Sequence, residues 1–237
     1  LKILALDSSG LVASVAYLED GKIKGLININ YQKTHSQTLL PMLDEMVKTL
    51  EIDLNGIDYL ACANGPGSFT GLRIGVATIK GLGLSIGKEI VDVSTLEALA
   101  LNWPGAEGIV IPIMDARRSQ VYAAGYSFEG NSAKPVTVIE PVNCELSELI
   151  EKLNAMGKKV FFTGDGVPVY KDMIAQSLKV DYALPNAANA YQNAANVAVL
   201  AEIFANEGLA KKAADISPVY LRKPQAERER EAMQETN

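Results

Sequence analysis

Asp7 and Asp115 are the carboxylates whose surroundings suit chemistry. Asp7 closes an apolar run over residues 3–6 and leads into Ser8-Ser9-Gly10. Asp115 closes a second run over 109–114 and leads into Ala116-Arg117-Arg118. Carboxylates hold divalent cations beside nucleotide phosphates; an Asp at a bend is also a common cap. The second hairpin has no glycine, so its β-carbons obstruct a close backbone approach to a phosphate. His35 is the only histidine. A helical metal site needs a second histidine about one turn away. A serine hydrolase needs a Gly-x-Ser-x-Gly elbow, and Ser68 in Gly67-Ser68-Phe69-Thr70-Gly71 has the wrong spacing. His35 therefore reads as structural or interfacial. Cys62 and Cys144 lie far apart in apolar runs and read as buried reduced thiols, which argues against a cysteine protease. Arg117-Arg118, Lys211-Lys212 and Arg222-Lys223 read as solvated basic pairs. Local contact with an acidic partner or an RNA backbone is the other reading.

Two predicted helices dominate the elements that must position these groups. Residues 64–75, Asn-Gly-Pro-Gly-Ser-Phe-Thr-Gly-Leu-Arg-Ile-Gly, join an apolar strand to an apolar, glycine-dotted helix. Gly65-Pro66-Gly67 is a turn, and Thr70 is the expected N-cap. A helix start after a tight loop is an anion site. However, Leu72-Arg73 stand where a Walker loop needs lysine and a hydroxyl, and the glycine spacing fits no dinucleotide fingerprint. The plainer reading is that these glycines permit a sharp turn and close packing. On a helical wheel Leu72, Val76, Ile79, Leu82 and Ile86 share one arc. Gly71, Ile74, Ala77, Thr78, Gly81 and Ser85 share a second, with Arg73 and Lys80 between the arcs on one side. A helix with an apolar face and a small-residue face is expected to be covered twice, the second time by another chain. The helix predicted over 34–50, capped by Thr34 or Ser36, carries Leu39, Leu40, Leu43, Met46, Val47 and Leu50 in one arc, widened by Met42. That stripe is broader than one sheet face covers. Pro41 falls inside it and is expected to bend the first turns.

A chain of 237 residues suits one or two domains without disulfide staples. A net charge of −6 argues against a broad nucleic-acid surface and leaves room for a local patch. No apolar run reaches the roughly 18 residues of a membrane span, and no leader-like segment precedes the first strand. The expectation is a cytoplasmic protein without a membrane anchor.

Strands are predicted over 3–7, 12–18, 23–29 and 57–63, and a short one over 90–93 before a helix to 101. After Pro104-Gly105 the order recurs: strands over 109–115, 120–128 and 136–139, a helix over 145–156, a strand over 159–163 and a helix over 170–177. The repeat is one of pattern, about 108 positions apart, not of residues. An apolar helix over 193–206 and an extended segment over 216–223 follow, and from Gln225 the composition is that of a frayed end. We expect two lobes, 1–104 and 105–237, with the late helix and C-terminal segment packing back on the first. This duplicated, two-lobed α/β architecture resembles the actin, hexokinase and Hsp70 superfamily, with its ribonuclease H-like lobes. That resemblance implies a nucleotide cleft at Asp7, Ser8, Asp115, Gly164 and Gly166, with the aspartates holding a metal. In glycine-poor hairpins the cleft reads as vestigial. If it is active, the protein is a metal- and nucleotide-dependent transferase or kinase.

Leu4-Ala5-Leu6-Asp7-Ser8-Ser9, Thr34-His35-Ser36-Gln37 with Leu39-Leu40-Pro41, the whole of 64–75, and Ser217-Pro218-Val219-Tyr220-Leu221-Arg222 resemble a more particular group. They are similar to the bacterial TsaB, or YeaZ, family of tRNA threonylcarbamoyladenosine biosynthesis proteins. The likeness covers almost the whole chain, and 64–75 is its most specific part. The resemblance implies a non-catalytic paralogue of the transferase TsaD, which binds a metal through two helical histidines. Here only His35 matches that region, and its partner position is not histidine. The resemblance further implies pairing with TsaD through the two helices, a homodimer when TsaD is absent, and a small ATPase, TsaE, joining the assembly. It implies tRNA reached only through the complex, and neither cofactor nor metal of its own. The expected partner surface is His35, Leu39, Met42, Leu43, Met46 and Leu50 on one helix, and Arg73, Ala77, Gly81 and Ser85 on the other.

Overall fold

Strand β1 (Lys2–Asp7) sends Leu4 and Leu6 to one apolar cluster and Ile3 and Ala5 to another, and all four are fully buried. A strand apolar on both faces suits the middle of its sheet. The computed structural model, which describes residues 1–31, 33–130 and 132–222, places it there. The first sheet runs β3 (Lys22–Ile29), β2 (Ala13–Glu19), β1, β4 (Tyr59–Gly65), β5 (Ile90–Ser94). The first three strands pair antiparallel, and β4 and β5 continue in parallel. Helices α1 (His35–Thr49) and α2 (Phe69–Ile86) cover one face.

The second sheet repeats this order: β8 (Val136–Glu145), β7 (Gln120–Ser127), β6 (Ile109–Asp115), β9 (Val160–Thr163), β10 (Tyr182–Ala183). Its first three strands are again antiparallel and its last two parallel. Helices α4 (Leu146–Met156) and α5 (Gly166–Ser177) cover its outer face. Duplication is thus visible in strand order where residue identity has vanished.

Between the sheets lies α3 (Thr95–Ala100), whose Ala98 packs toward the first sheet and whose Leu96 and Leu99 pack toward the second. Helix α6 (Ala194–Asn206) comes after the second sheet in sequence but lies on the first, with Val197, Ala198, Leu200 and Ala201 against Ile3, Ala5, Ala61 and Val91. Polar bonds fasten this junction. Asn102 donates to the Thr163 hydroxyl at 2.9 Å and to the Tyr191 carbonyl at 3.0 Å. Asn196 donates to the Asn102 side-chain oxygen at 2.8 Å, and the Trp103 indole donates to the Phe162 carbonyl at 2.8 Å.

Several element ends differ from expectation for local reasons. Helix α2 starts one residue before Thr70, because the Ser68 hydroxyl accepts from the Gly71 N–H at 3.3 Å and caps it instead. Helix α5 starts at Gly166, four residues early, with Pro168 tolerated in its first turn. Strand β8 runs on to Glu145, and β10 adds an edge that two residues cannot announce. Gly87 ends α2 in the left-handed conformation, as expected of a C-terminal glycine. The expected frayed end falls outside the described residues, as do Lys223 and Pro224. No helix among the described residues is long and apolar enough to cross a membrane.

Candidate interlobe cleft and partner-facing helix

The β1–β2 hairpin and the start of α2 meet backbone to backbone. The Ser68 N–H donates to the Ser9 carbonyl at 2.7 Å, and the Ser8 hydroxyl donates to the Gly71 carbonyl at 2.9 Å. A β-carbon on Gly71 would stand 2.1 Å from the Ser8 oxygen, and one on Gly67 2.2 Å from the Ser9 oxygen. These glycines therefore serve close packing, the plainer of the two sequence readings. Ser8 is spent on the same joint. Gly164 has the corresponding task in the second lobe: its β-carbon would stand 2.2 Å from the Ile113 oxygen.

Asp7 is only 1% exposed. Its Oδ1 accepts from the Ser9 N–H at 2.8 Å and from the Ser9 hydroxyl at 2.6 Å. Its Oδ2 has no hydrogen-bond partner among the described residues. Burial raises this carboxyl to about 6, against the opposing pull of Ser9 and the nearby His35. His35 Nε2–H donates to the Gly10 carbonyl at 2.8 Å, which ties α1 to the hairpin, while Nδ1 lacks a partner among the described residues. Asp115 is exposed, its Oδ1 accepting from the Arg117 N–H at 2.9 Å and the Tyr170 hydroxyl at 3.1 Å. Asp165 is raised to about 6, chiefly by burial.

A cleft of about 920 Å³ opens between the lobes. Asp115 and Asp165 line it; Asp7, Ser8, Gly164 and Gly166 do not. The two aspartates singled out from the sequence are thus not presented to one space. Among the described residues no three His, Cys, Asp or Glu side chains converge as metal ligands. Asp7 and Asp115 are therefore not placed to hold one metal between them in this cleft. Both cysteines are free thiols, and burial pushes the Cys62 thiol far up, away from reactivity.

A buried, half-satisfied carboxylate has a thermodynamic signature. Asp7 is raised in the folded chain, so folding favours its protonated form, and its contribution falls as pH rises from about 4 through about 6. The whole shift corresponds to about 3 kcal/mol. An asparagine keeps the Ser9 bonds but buries an unpaired N–H, which offsets part of it. Asp7→Asn is expected to be about 1 kcal/mol more stable than wild type at pH 8 and to lose that advantage below pH 4. Urea titrations across this range check it.

The partner surface expected from the sequence divides in two. Leu39, Met42, Leu43 and Met46 do not face outward; each is at most 4% exposed and lies in the core under the first sheet. The stripe is broad because α1 packs on the sheet and on α2 at once, while Leu40, 64% exposed, stays outside this packing. Leu50 packs beside Gly25 of β3 and remains 37% exposed. His35 is half-buried at the hairpin. On α2, by contrast, Arg73, Ala77, Gly81 and Ser85 are all exposed, and Leu84, which the wheel did not single out, joins them at 66%. Lys80 donates to the Ala214 and Ile216 carbonyls, which closes the neighbouring flank of the helix.

Fold and cleft together define a protein class: a duplicated, two-lobed α/β protein whose two five-stranded sheets share one strand order. Comparison narrows this. A family model described as "TsaD: tRNA N6-adenosine threonylcarbamoyltransferase" matches residues 18–230. A tRNA threonylcarbamoyladenosine biosynthesis protein TsaB from Bacillus subtilis is 31% identical over 230 residues, 96% of each chain. The TsaB of Haemophilus influenzae is 33% identical over 232 residues, 94% of each chain. The solved structure of YeaZ from Pseudomonas aeruginosa superposes with a TM-score of 0.79 at 26% identity, covering 93% of this chain and 99% of that one. The chain belongs to the TsaB, or YeaZ, family.

Proposed function

We propose that this protein is the non-catalytic scaffold and activator subunit of an assembly that adds threonylcarbamoyl to the tRNA adenosine beside the anticodon. Its relatives carry the name of that pathway's TsaB component. In this reading the lobe of residues 1–104 pairs with a TsaD-type transferase, or with a second copy of itself when the transferase is absent. A TsaE-type ATPase joins the pair, and the second lobe of 105–237 completes the fold around α6.

The observation that carries the proposal is Gly81. It stands exposed in the middle of α2, and a β-carbon there would meet nothing within 4 Å. A helix-interior glycine costs about 1 kcal/mol relative to alanine, and nothing in its own lobe requires one. With Ala77 and Ser85 it forms a strip of small side chains that admits another helix closely, flanked by exposed Leu84. The partner surface is accordingly Arg73, Ala77, Gly81, Leu84 and Ser85 of α2, with Leu50 at the margin of α1.

Co-purification with a TsaD-type transferase, followed by a tRNA modification assay with and without this protein, tests the proposal. The expected result is a stable pair and modification that depends on it. Equal modification by the transferase alone overturns the activator role. Tight magnesium-ATP binding by the isolated chain, with turnover lost in Asp7→Ala, overturns the non-catalytic one.

A further inference from the structure

The chain carries 22 basic against 28 acidic residues, yet its interlobe cleft has the opposite sign. Lys33, Arg73, Arg117, Arg118 and Arg222 line it, against Asp115 and Asp165 alone. The cations come from both walls. Lys33 follows β3, Arg73 projects from α2, Arg117 and Arg118 sit on the β6–β7 turn, and Arg222 donates to the Ala116 carbonyl at 3.1 Å. Among the described residues none of the five joins a salt bridge. Asp165, the more buried of the two carboxylates, is raised to about 6.

Aromatic faces accompany the charge. Phe69 stacks on Tyr220 at 4.3 Å, and the Arg73 guanidinium lies 5.8 Å from the Phe69 ring. Tyr31 stands 71% exposed at the rim. Cations along a groove, interleaved with aromatic rings, form the recognition chemistry of a nucleic-acid backbone with unstacked bases. Asp7, the first carboxylate of the superfamily's metal-nucleotide pair, is turned out of the cleft.

The β6–β7 turn adds a separate observation. Arg117, Arg118 and Ser119 have φ of 63°, 55° and 61°, a left-handed run without a glycine. Side chains disfavour that conformation, and a turn needing only to reverse the chain would be better served by glycine. Two arginines are held there at a cost to the fold, with their side chains on the cleft.

We propose that the interlobe cleft binds the sugar–phosphate backbone of RNA and, within the assembly, carries a stretch of the tRNA. The tRNA part rests on the function proposed above; the RNA part does not. Arg117 and Arg118 each neutralise a phosphate, Lys33 holds the strand from the opposite wall, and the exposed ring of Tyr31 receives an unpaired base.

The test uses the full chain and a tRNA transcript, with affinity measured by fluorescence anisotropy from 50 to 200 mM salt. The wild type is expected to bind with steep salt dependence. Arg117→Gly with Arg118→Gly is expected to weaken binding at least tenfold at the lowest salt. The log–log salt slope should fall by about 1.4 to 1.8, since each lost phosphate contact removes about 0.7 to 0.9. The same variant should melt no lower than wild type, because glycine relaxes the turn. No RNA binding by the wild type overturns the proposal. So does unchanged binding by the variant, or displacement of RNA by stoichiometric ATP, which would make the cleft a nucleotide site. Transferase capture is measured separately. Capture without RNA binding sinks the cleft inference alone; RNA binding without capture sinks the scaffold reading alone.

Discussion

Gly81→Arg is expected to weaken pairing with the transferase at least a hundredfold, about 3 kcal/mol, while leaving the isolated chain folded. Its β-carbon has open space in the free protein, so the long side chain meets no clash within the lobe. Arginine is also the better helix former by close to 1 kcal/mol, so the free chain should melt no lower. In the proposed pair the same side chain lies where a neighbouring helix must come close, and its charge is desolvated without a partner. Sedimentation and co-purification measure the loss; a circular dichroism melt excludes unfolding. Gly81→Ala supplies the graded control. It should stabilise the free chain by about 0.5 to 1 kcal/mol and weaken pairing less than arginine does. A wild-type level of association in the arginine variant would show that this face is bare in the assembly.

Gly71→Ala, in the same helix, is expected to have the opposite sign. Its β-carbon would lie 2.1 Å from the Ser8 carbonyl oxygen. That neighbour is backbone, and the Ser8 hydroxyl bond to the Gly71 carbonyl holds the two segments together at 2.9 Å. The Ser68–Ser9 bond at 2.7 Å prevents the loop from backing away. Relief therefore requires the β1–β2 hairpin or the start of α2 to move as a unit. We expect a loss of about 3 kcal/mol, the upper range for overpacking, and a melting temperature lower by roughly 6 to 12 °C. Urea unfolding of the two alanine variants side by side separates a glycine kept for the fold from one kept for a partner. Equal stability of Gly71→Ala and wild type would mean that hairpin and helix are not locked.

The sequence made the strand pattern plain, because β1, β4 and β6 are apolar on both faces and end at sharp punctuation. It also disclosed the repeated order of elements and the open side of α2, where Ala77, Gly81 and Ser85 stand out by size. It did not disclose which side of α1 is spent at home. A wide apolar stripe reads alike whether its flanks meet a second helix of the same lobe or another chain, so Leu39, Met42, Leu43 and Met46 read as partner-facing from sequence although they lie in the core. The cleft was half legible. Asp7 and Asp115 drew attention as a pair, yet burial took Asp7 out of the shared space. Arg117-Arg118 and Arg222 read as surface pairs because tertiary convergence leaves no periodic trace. Lys33 and Phe69 of the cleft wall carried no signal of their own.

The return of α6 to the first sheet has a consequence for how the protein is made. Ile3, Ala5, Ala61 and Val91 are complete in the nascent chain long before Val197, Leu200 and Ala201 emerge to cover them. Until then the older lobe presents a bare aliphatic slab to the ribosome's surroundings. Its maturation waits on the younger lobe, so the two must finish together. A messenger cut short after β10 would yield a product destined for chaperones and proteases rather than a working half.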